Sequence, residues 1–125
     1  MEPCAPTPRF SGQAAEDAAC DWLASHGFLT VCRNFRCRRG EADLIMAKSD
    51  MLVFAEVRFR TGTGYGGAAA SVTRAKQQKI IAAARYFLHH RPRFANHAVR
   101  FDVIAMSGQP GNWQIQWIPA AFLAE

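Results

Sequence analysis

The 125-residue chain lacks the features that mark membrane, secreted and zinc-binding proteins. It has no run of about 18 apolar residues, so no membrane span is expected. Its first residues contain no basic region followed by an apolar one, which disfavours secretion. The four cysteines show no paired C-x-x-C spacing, which disfavours a structural zinc site. We therefore expect a cytoplasmic protein with reduced thiols and no membrane partner.

Lysine is also scarce, because arginine supplies 12 of the 15 basic residues. The net charge of +5 favours anionic partners. The planar fork of arginine suits phosphate better than the point charge of lysine does. Weakly basic proteins often bind no polyanion, so the net charge is only weak support for nucleic-acid binding.

What the sequence does contain is enough apolar surface for a packed core, with 50% hydrophobic and 20% charged residues. We interpret residues 1–10, which are rich in proline, as a flexible N-terminal tail. Residues 11–125 show no linker and no internal repeat, so they are expected to form a single domain.

The hydrophobic periodicity and turn residues predict an alternation of helices and strands. A helix from Ser11 to about His26 ends at Gly27, and a second helix, capped by Thr73, ends at His89 or His90. The predicted strands cover residues 28–36, 42–46, 52–59, 99–106 and 113–117, and we interpret residues 120–125 as a last short helix after Pro119. The order α-β-β-β-α-β-β implies an α/β sandwich.

Two acidic residues, Asp43 and Glu56, each lie within an apolar strand of the predicted β-hairpin. If Ser49 and Asp50 form a two-residue turn, counting outward from it places Asp43 opposite Glu56. Directly opposed side chains share a face, with Cβ atoms about 5 Å apart. Like charges this close repel, so a cation is the best reason to tolerate them, and Mg²⁺ binds one or two carboxylates. The hairpin therefore predicts a divalent-cation site.

Glu16 and Gln77 are the other candidates for a polar site, each with an ordinary structural alternative. Glu16 lies at the edge of the buried stripe of the first helix, from which it could reach a site beside the sheet. Equally, it could be a favourable charge in the first turn. Gln77 interrupts the apolar stripe of the second helix near its N-terminus, where it could face an anion or serve as a first-turn partner.

A Gly-rich segment, Thr61–Gly67, follows the third strand. It matches neither a P-loop nor a dinucleotide-binding fingerprint. A mobile loop that faces a substrate and a simple tether are equally open interpretations.

The order of elements and the residues together resemble the PD-(D/E)xK nuclease superfamily. More closely, the chain resembles the YraN family of small uncharacterised proteins that are predicted to be endonucleases. The matching stretches are Ala15-Glu16, Ala19, Trp22-Leu23, Gly27-Phe28, Asn34-Phe35-Arg36, Gly40-Glu41-Ala42-Asp43-Leu44-Ile45, Val53-Phe54-Ala55-Glu56-Val57-Arg58-Phe59-Arg60, Ala75-Lys76-Gln77 and Arg100-Phe101-Asp102-Val103. The G-E-x-D-L-I and F-x-E-V-[KR]-x-R segments are specific mainly in combination.

The resemblance implies a restriction-endonuclease-like three-layer sandwich, with a mixed sheet flanked by helices. It also implies structural relatives among Holliday-junction resolvases and RecB-type nuclease domains. The implied catalytic residues are Glu16, Asp43, Glu56, Arg58 and Gln77. Asp43, Glu56 and the main-chain carbonyl of Val57 would hold Mg²⁺ or Mn²⁺. The lysine of the superfamily pattern falls on Arg58, and an arginine cannot act as a general base.

The resulting expectation is an Mg²⁺-dependent endonuclease that hydrolyses phosphodiester bonds of DNA, with structured or branched DNA as one candidate substrate. We favour DNA over RNA as the partner. Whether two copies of the chain form a homodimer is left open by the sequence. Seven basic residues are candidates for nucleic-acid binding through phosphates: Arg36, Arg38, Arg39, Arg60, Arg74, Lys76 and Lys79.

Two alternatives to an active nuclease remain. The first is a catalytically impaired protein that keeps the nuclease fold and binds nucleic acid without cutting it, which the arginine at position 58 favours. The second is a structural or partner-binding module, in which the acidic pair forms ion pairs with Arg58, Arg60 or Arg100.

Overall fold

The structure of the chain is a computed structural model that describes residues 10–60 and 72–124. The predicted N-terminal tail, apart from residue 10, and the predicted Gly-rich loop lie outside these residues. The described elements are helices α1 (Phe10–Ser25) and α2 (Arg74–His90), a short 3₁₀ turn (Pro92–Phe94) and strands β1 (Leu29–Cys37), β2 (Gly40–Lys48), β3 (Met51–Arg60), β4 (Ala98–Gln109) and β5 (Asn112–Phe122). The predicted order of helices and strands is confirmed.

The strands form one mixed sheet in the order β1-β2-β3-β4-β5. The pair β3 and β4 is parallel, because α2 crosses between them, and the other neighbours are antiparallel. The β2–β3 turn is the predicted one, since Lys48 pairs with Met51 across Ser49 and Asp50. Ser49 takes a positive φ of 55°, which suits a tight hairpin turn.

Separate hydrophobic cores cover the two faces of the sheet. Alternate residues of β3 show this division, since Leu52 and Phe54 pack with α2 whereas Val53 and Ala55 pack with α1. These residues are all fully buried. The arrangement is that of a strand covered on both sides, as its apolar sequence predicts, and it fits a three-layer α/β/α sandwich.

Local sequence signals set the helix ends close to the predicted positions. Gly27 follows α1 with a φ of 92°, a conformation that glycine adopts without strain. Thr73 caps α2, and its side chain accepts a hydrogen bond from the Lys76 backbone N–H at 3.1 Å.

The predicted C-terminal helix is wrong, because β5 continues through Pro119 to Phe122. Proline is tolerated there because β5 is an edge strand and its missing N–H breaks no inner ladder. Asp102 in β4 anchors the extension, accepting hydrogen bonds from the Ala120 backbone N–H at 3.0 Å and from Trp117 Nε1 at 2.8 Å. Phe122 then pairs with Phe101.

Two further expectations concern the cysteines and the membrane. Cys20 and Cys37 are free thiols, as predicted, whereas Cys32 is disulfide-bonded. Neither helix in the described ranges has both the length and the apolar character needed to cross a bilayer.

The β1–β2 turn packs against α2 so closely that position 40 has no room for a side chain. A Cβ atom on Gly40 would lie 2.1 Å from the Lys79 carbonyl oxygen and 2.6 Å from the Ala83 nitrogen. We expect Gly40→Ala to lower the free energy of unfolding by about 1–3 kcal/mol, as overpacking does. Urea denaturation measures this, with exposed Arg38→Ala in the same turn as the control. Equal stability of the two variants would contradict the packing.

Candidate functional site

The two central strands separate where the acidic pair lies. Antiparallel pairing between β2 and β3 runs from Lys48 and Met51 to Leu44 and Ala55. Asp43 and Glu56 are the next residues outward in the predicted register, but the paired part of the two strands ends just before them. Beyond this point, β2 continues beside β1 and β3 continues beside β4. A gap between the strands therefore opens at Asp43 and Glu56.

The side chain of Asp43 takes over one backbone hydrogen bond in this gap. The Val57 backbone N–H donates to Asp43 Oδ2 at 2.9 Å. This bond fixes Asp43 beside the strand segment that carries Glu56. The Val57 carbonyl, a predicted metal ligand, belongs to the same peptide segment.

Burial and a neighbouring acid perturb the titration of Glu56. Its side chain is buried, and the loss of solvation, the charge of Asp43 and a hydrogen bond with Asp43 raise its pKa to about 8, against the smaller opposing effects of Lys76 and Arg58. Within the described residues, Glu56 Oε1 is buried and forms no hydrogen bond. The folded protein therefore holds a proton on the acidic pair at neutral pH.

Two cations flank Glu56 from opposite parts of the fold. Arg58 Nη1 lies 3.6 Å from Glu56 Oε2, two residues further along β3. Lys76 Nζ, from the first turn of α2, lies 3.8 Å from the same oxygen. Both groups can offset negative charge in front of the pair.

Lys76 is held in its charged form. Burial by itself would lower the pKa of Lys76, but a hydrogen bond to Glu41 and the charges of Glu56, Glu41 and Asp43 outweigh it, so the pKa is raised. Glu41 also accepts a hydrogen bond from Arg36. Glu41 thus links β1, β2 and α2 at the edge of the site.

The sequence interpretation missed this placement of Lys76 and Glu41. Lys76 was predicted only as a nucleic-acid contact, and Glu41 was given no role. The sequence shows that Lys76 lies in the first turn of α2. It does not show which strand this turn faces, because the packing of α2 on the sheet depends on residues that are far apart in the chain.

The structure excludes the first-turn alternative for Glu16. Its side chain is only 3% exposed, and it lies beyond the first turn of α1, which contains no acidic residue. The ion pair between Asp17 and Arg33, at 2.7 Å, brings this part of the helix over β1. Arg33 pairs with Leu44, the neighbour of Asp43 on β2. The predicted role of Glu16 at the acidic pair stays a prediction.

The position of Gln77 favours the first-turn interpretation. Its side-chain Nε2 donates to the Val72 carbonyl at 3.1 Å, just before α2 begins. The predicted role of Gln77 in positioning water or phosphate stays a prediction.

The predicted nucleic-acid contacts divide into exposed residues and residues engaged within the fold. Arg38, Arg39, Arg74 and Lys79 are exposed. Arg36 and Lys76 bind Glu41 instead, and the side chain of Arg60 lies outside the described part of the chain. Arg100, proposed above as an ion-pair partner of the acids, binds Asp102 at 2.8 Å.

The oxygen atoms present fit a small hard cation. Two adjacent carboxylates, one with a buried oxygen that receives no hydrogen bond, are the ligands that Mg²⁺ combines with several waters. Across residues 10–60 and 72–124, no cluster of three His, Cys, Asp or Glu side chains has the arrangement of a metal cage. A cation bound by these two carboxylates alone would keep much of its water shell.

The raised pKa of Glu56 predicts how stability depends on pH. Folded Glu56 keeps its proton up to about pH 8, whereas the unfolded residue loses it near its ordinary value of 4.5. The free energy of unfolding should therefore fall as pH rises through this window, by up to about 1.4 kcal/mol per pH unit, and level off above it. Urea titrations in chelator should show that Glu56→Gln removes this slope. An identical slope in the variant would contradict the assignment, and exposed Asp50→Asn serves as control.

The chain is similar to known proteins over most of its length. Residues 15–106 match the model of the uncharacterised protein family UPF0102, which is the YraN family. A UPF0102 protein of Aeromonas hydrophila is 53% identical over 109 residues, covering 86% of this chain and 84% of the relative. UPF0102 proteins of Saccharophagus degradans and Pseudomonas syringae are 48% and 45% identical, covering 90% and 93% of this chain and 92% and 95% of theirs. The chain belongs to the family UPF0102.

Proposed function

We propose that this protein is a metal-dependent endonuclease with a restriction-endonuclease-like fold, and that it hydrolyses phosphodiester bonds of DNA. The observation that carries the proposal is the acidic pair Asp43 and Glu56, buried where β2 and β3 separate and flanked by Lys76 and Arg58. A pair of acids that the fold leaves incompletely neutralised suits a cation, and the flanking cations suit a phosphate.

Asp43, Glu56 and the Val57 carbonyl would hold Mg²⁺ or Mn²⁺. When bound, the metal lowers the pKa of a water and polarises the scissile phosphate. The protein holds the Asp43 carboxylate in place through the Val57 N–H. Glu16, buried on α1, would complete an outer shell of ligands or a second metal position.

Lys76 and Arg58 together replace the lysine that the superfamily pattern has at position 58. Neither cation serves as a base, because arginine keeps its proton and the pKa of Lys76 is raised. Both can stabilise the negative charge that develops on the phosphoryl oxygens. Lys76 approaches the same oxygen of Glu56 from α2 that Arg58 approaches from β3. In this proposal the lysine of the superfamily pattern is therefore replaced by a lysine of α2.

A basic concave surface on α2 offers a second contact for the nucleic acid. It has a volume of about 520 Å³ and is lined by Arg38, Arg39, Arg85, Tyr86, His89 and His90, with Cys37 and Ala82. Contacts from such side chains to phosphates carry no sequence information. We therefore expect little sequence preference.

Cleavage assays test the proposal directly. Purified protein should cut linear, flapped, single-stranded or four-way DNA in Mg²⁺ or Mn²⁺, and chelation should abolish the reaction. Asp43→Ala and Glu56→Ala should each reduce cleavage to background. Cleavage that persists in both variants would exclude this site.

The roles of the two cations make a sharper test within the same assay. We expect Lys76→Gln to lower the cleavage rate by about 10²–10³-fold, the loss typical of a charge that stabilises a transition state. Arg58→Lys should keep the rate within a few-fold, because Lys76 already supplies the lysine. Exposed Lys48→Gln, at the hairpin turn, is the control for the loss of one positive charge. A large gain from Arg58→Lys, with no effect of Lys76→Gln, would contradict the division of roles.

The second candidate function is nucleic-acid binding without cleavage, favoured by the arginine at position 58. It predicts salt-dependent binding to DNA with no products in any metal. Each phosphate contact removed should reduce the slope of log affinity against log salt by about 0.9. Arg38→Gln and Arg39→Gln test this by fluorescence anisotropy. Binding without salt dependence would exclude a phosphate-tracking surface in both candidates.

A further inference from the structure

Asn34 has a backbone conformation that interrupts its strand. It lies within β1 with a φ of 51°, in the left-handed region. Among residues other than glycine, asparagine tolerates this region better than most. The strand therefore changes the direction of its side chains at Asn34.

The sheet register places this irregular residue against the acidic site. The pairs Arg33 with Leu44 and Phe35 with Ala42 lie on either side of it. The β2 residue between Leu44 and Ala42 is Asp43, so Asn34 and Asp43 are counterparts across the two strands. Asp43 thus has Asn34 on its β1 side and Glu56 on its β3 side.

The amide of Asn34 is buried and its hydrogen-bonding capacity is unused. The residue is 3% exposed, and within residues 10–60 and 72–124 neither Nδ2 nor Oδ1 forms a hydrogen bond. An amide can donate two hydrogen bonds and accept two, and leaving a buried one unsatisfied destabilises the folded state. Glycine would satisfy the same backbone conformation without this penalty. A buried amide in this position therefore points to a ligand that it contacts.

A second element approaches the same point. The Asp17–Arg33 ion pair holds α1 over β1 at 2.7 Å. The residues that follow and precede these partners, Asn34 and Glu16, are both buried. Glu16 and Asn34 are thus buried on either side of an ion pair that joins α1 to β1, the strand next to Asp43.

We propose that Asn34 is a further residue of the metal site, and that its amide oxygen binds the divalent cation held by Asp43 and Glu56, directly or through a metal-bound water. This inference rests on the proposed function. Carboxylate, carbonyl and water oxygens are the ligands that suit Mg²⁺ and Mn²⁺. Asn34 would supply the third side-chain oxygen that the carboxylates alone do not provide.

The test is the affinity of the full-length protein for Mn²⁺, measured by calorimetry and by the loss of the free Mn²⁺ signal in electron paramagnetic resonance. Asn34→Gly removes the amide and keeps the positive φ. Ser49→Gly is the matched control, because Ser49 has a φ of 55° in the exposed hairpin turn. Asp43→Asn is the reference for a lost ligand.

We expect Asn34→Gly to unfold thermally at no lower temperature than the native chain in chelator, and to bind Mn²⁺ about 10–100-fold more weakly. Asn34→Asp, which keeps an oxygen at this position, should bind Mn²⁺ at least as tightly as the native chain. Ser49→Gly should bind normally. If Asn34→Gly fails to fold, the affinity of Asn34→Asp decides, since weakened binding there would contradict a role for the oxygen.

Native affinity in Asn34→Gly, together with lost binding in Asp43→Asn, would overturn the inference and leave the proposed metal site standing. No Mn²⁺ binding by the native chain would overturn both. The two failures are therefore distinguishable.

Discussion

The separation of β2 from β3 at Asp43 and Glu56 is the constraint on which the rest of the site depends. Up to Leu44 and Ala55 the strands are bonded to each other, and beyond that point each continues with a different neighbour. The Val57 N–H then bonds to the Asp43 carboxylate. The Asp43 side chain thus accepts a hydrogen bond from a backbone N–H where the strands separate, and this bond fixes it beside Glu56.

Charge balance follows from this geometry. Burial brings two carboxylates together at a price in free energy, which is visible in the raised pKa of Glu56. Arg58 and Lys76 reduce the repulsion between the two carboxylates without removing it. Lys76 also forms an ion pair with Glu41, so it offsets less of the negative charge at Glu56. A divalent cation would displace the proton that the metal-free pair holds and would offset the charge of both carboxylates. The same two basic residues would then face the phosphate of a bound nucleic acid.

The hairpin could be predicted from sequence because its determinants are local. A two-residue turn fixes the register, and the period of two then assigns Leu52 and Phe54 to one face and Val53 and Ala55 to the other. Features that depend on distant contacts were missed. Lys76 reaches the site only because α2 packs over β2, and Pro119 lies within a strand only because Asp102 anchors the edge. Nothing in the residues around Asn34 signals its positive φ, which the sheet imposes.

The most direct test of the account is anomalous diffraction from crystals of the protein grown with Mn²⁺. The account predicts one strong manganese peak in the gap between β2 and β3, within coordination distance of the carboxylates of Asp43 and Glu56. A peak elsewhere, or no peak between these carboxylates at millimolar Mn²⁺ concentrations that support DNA cleavage, would contradict the central claim.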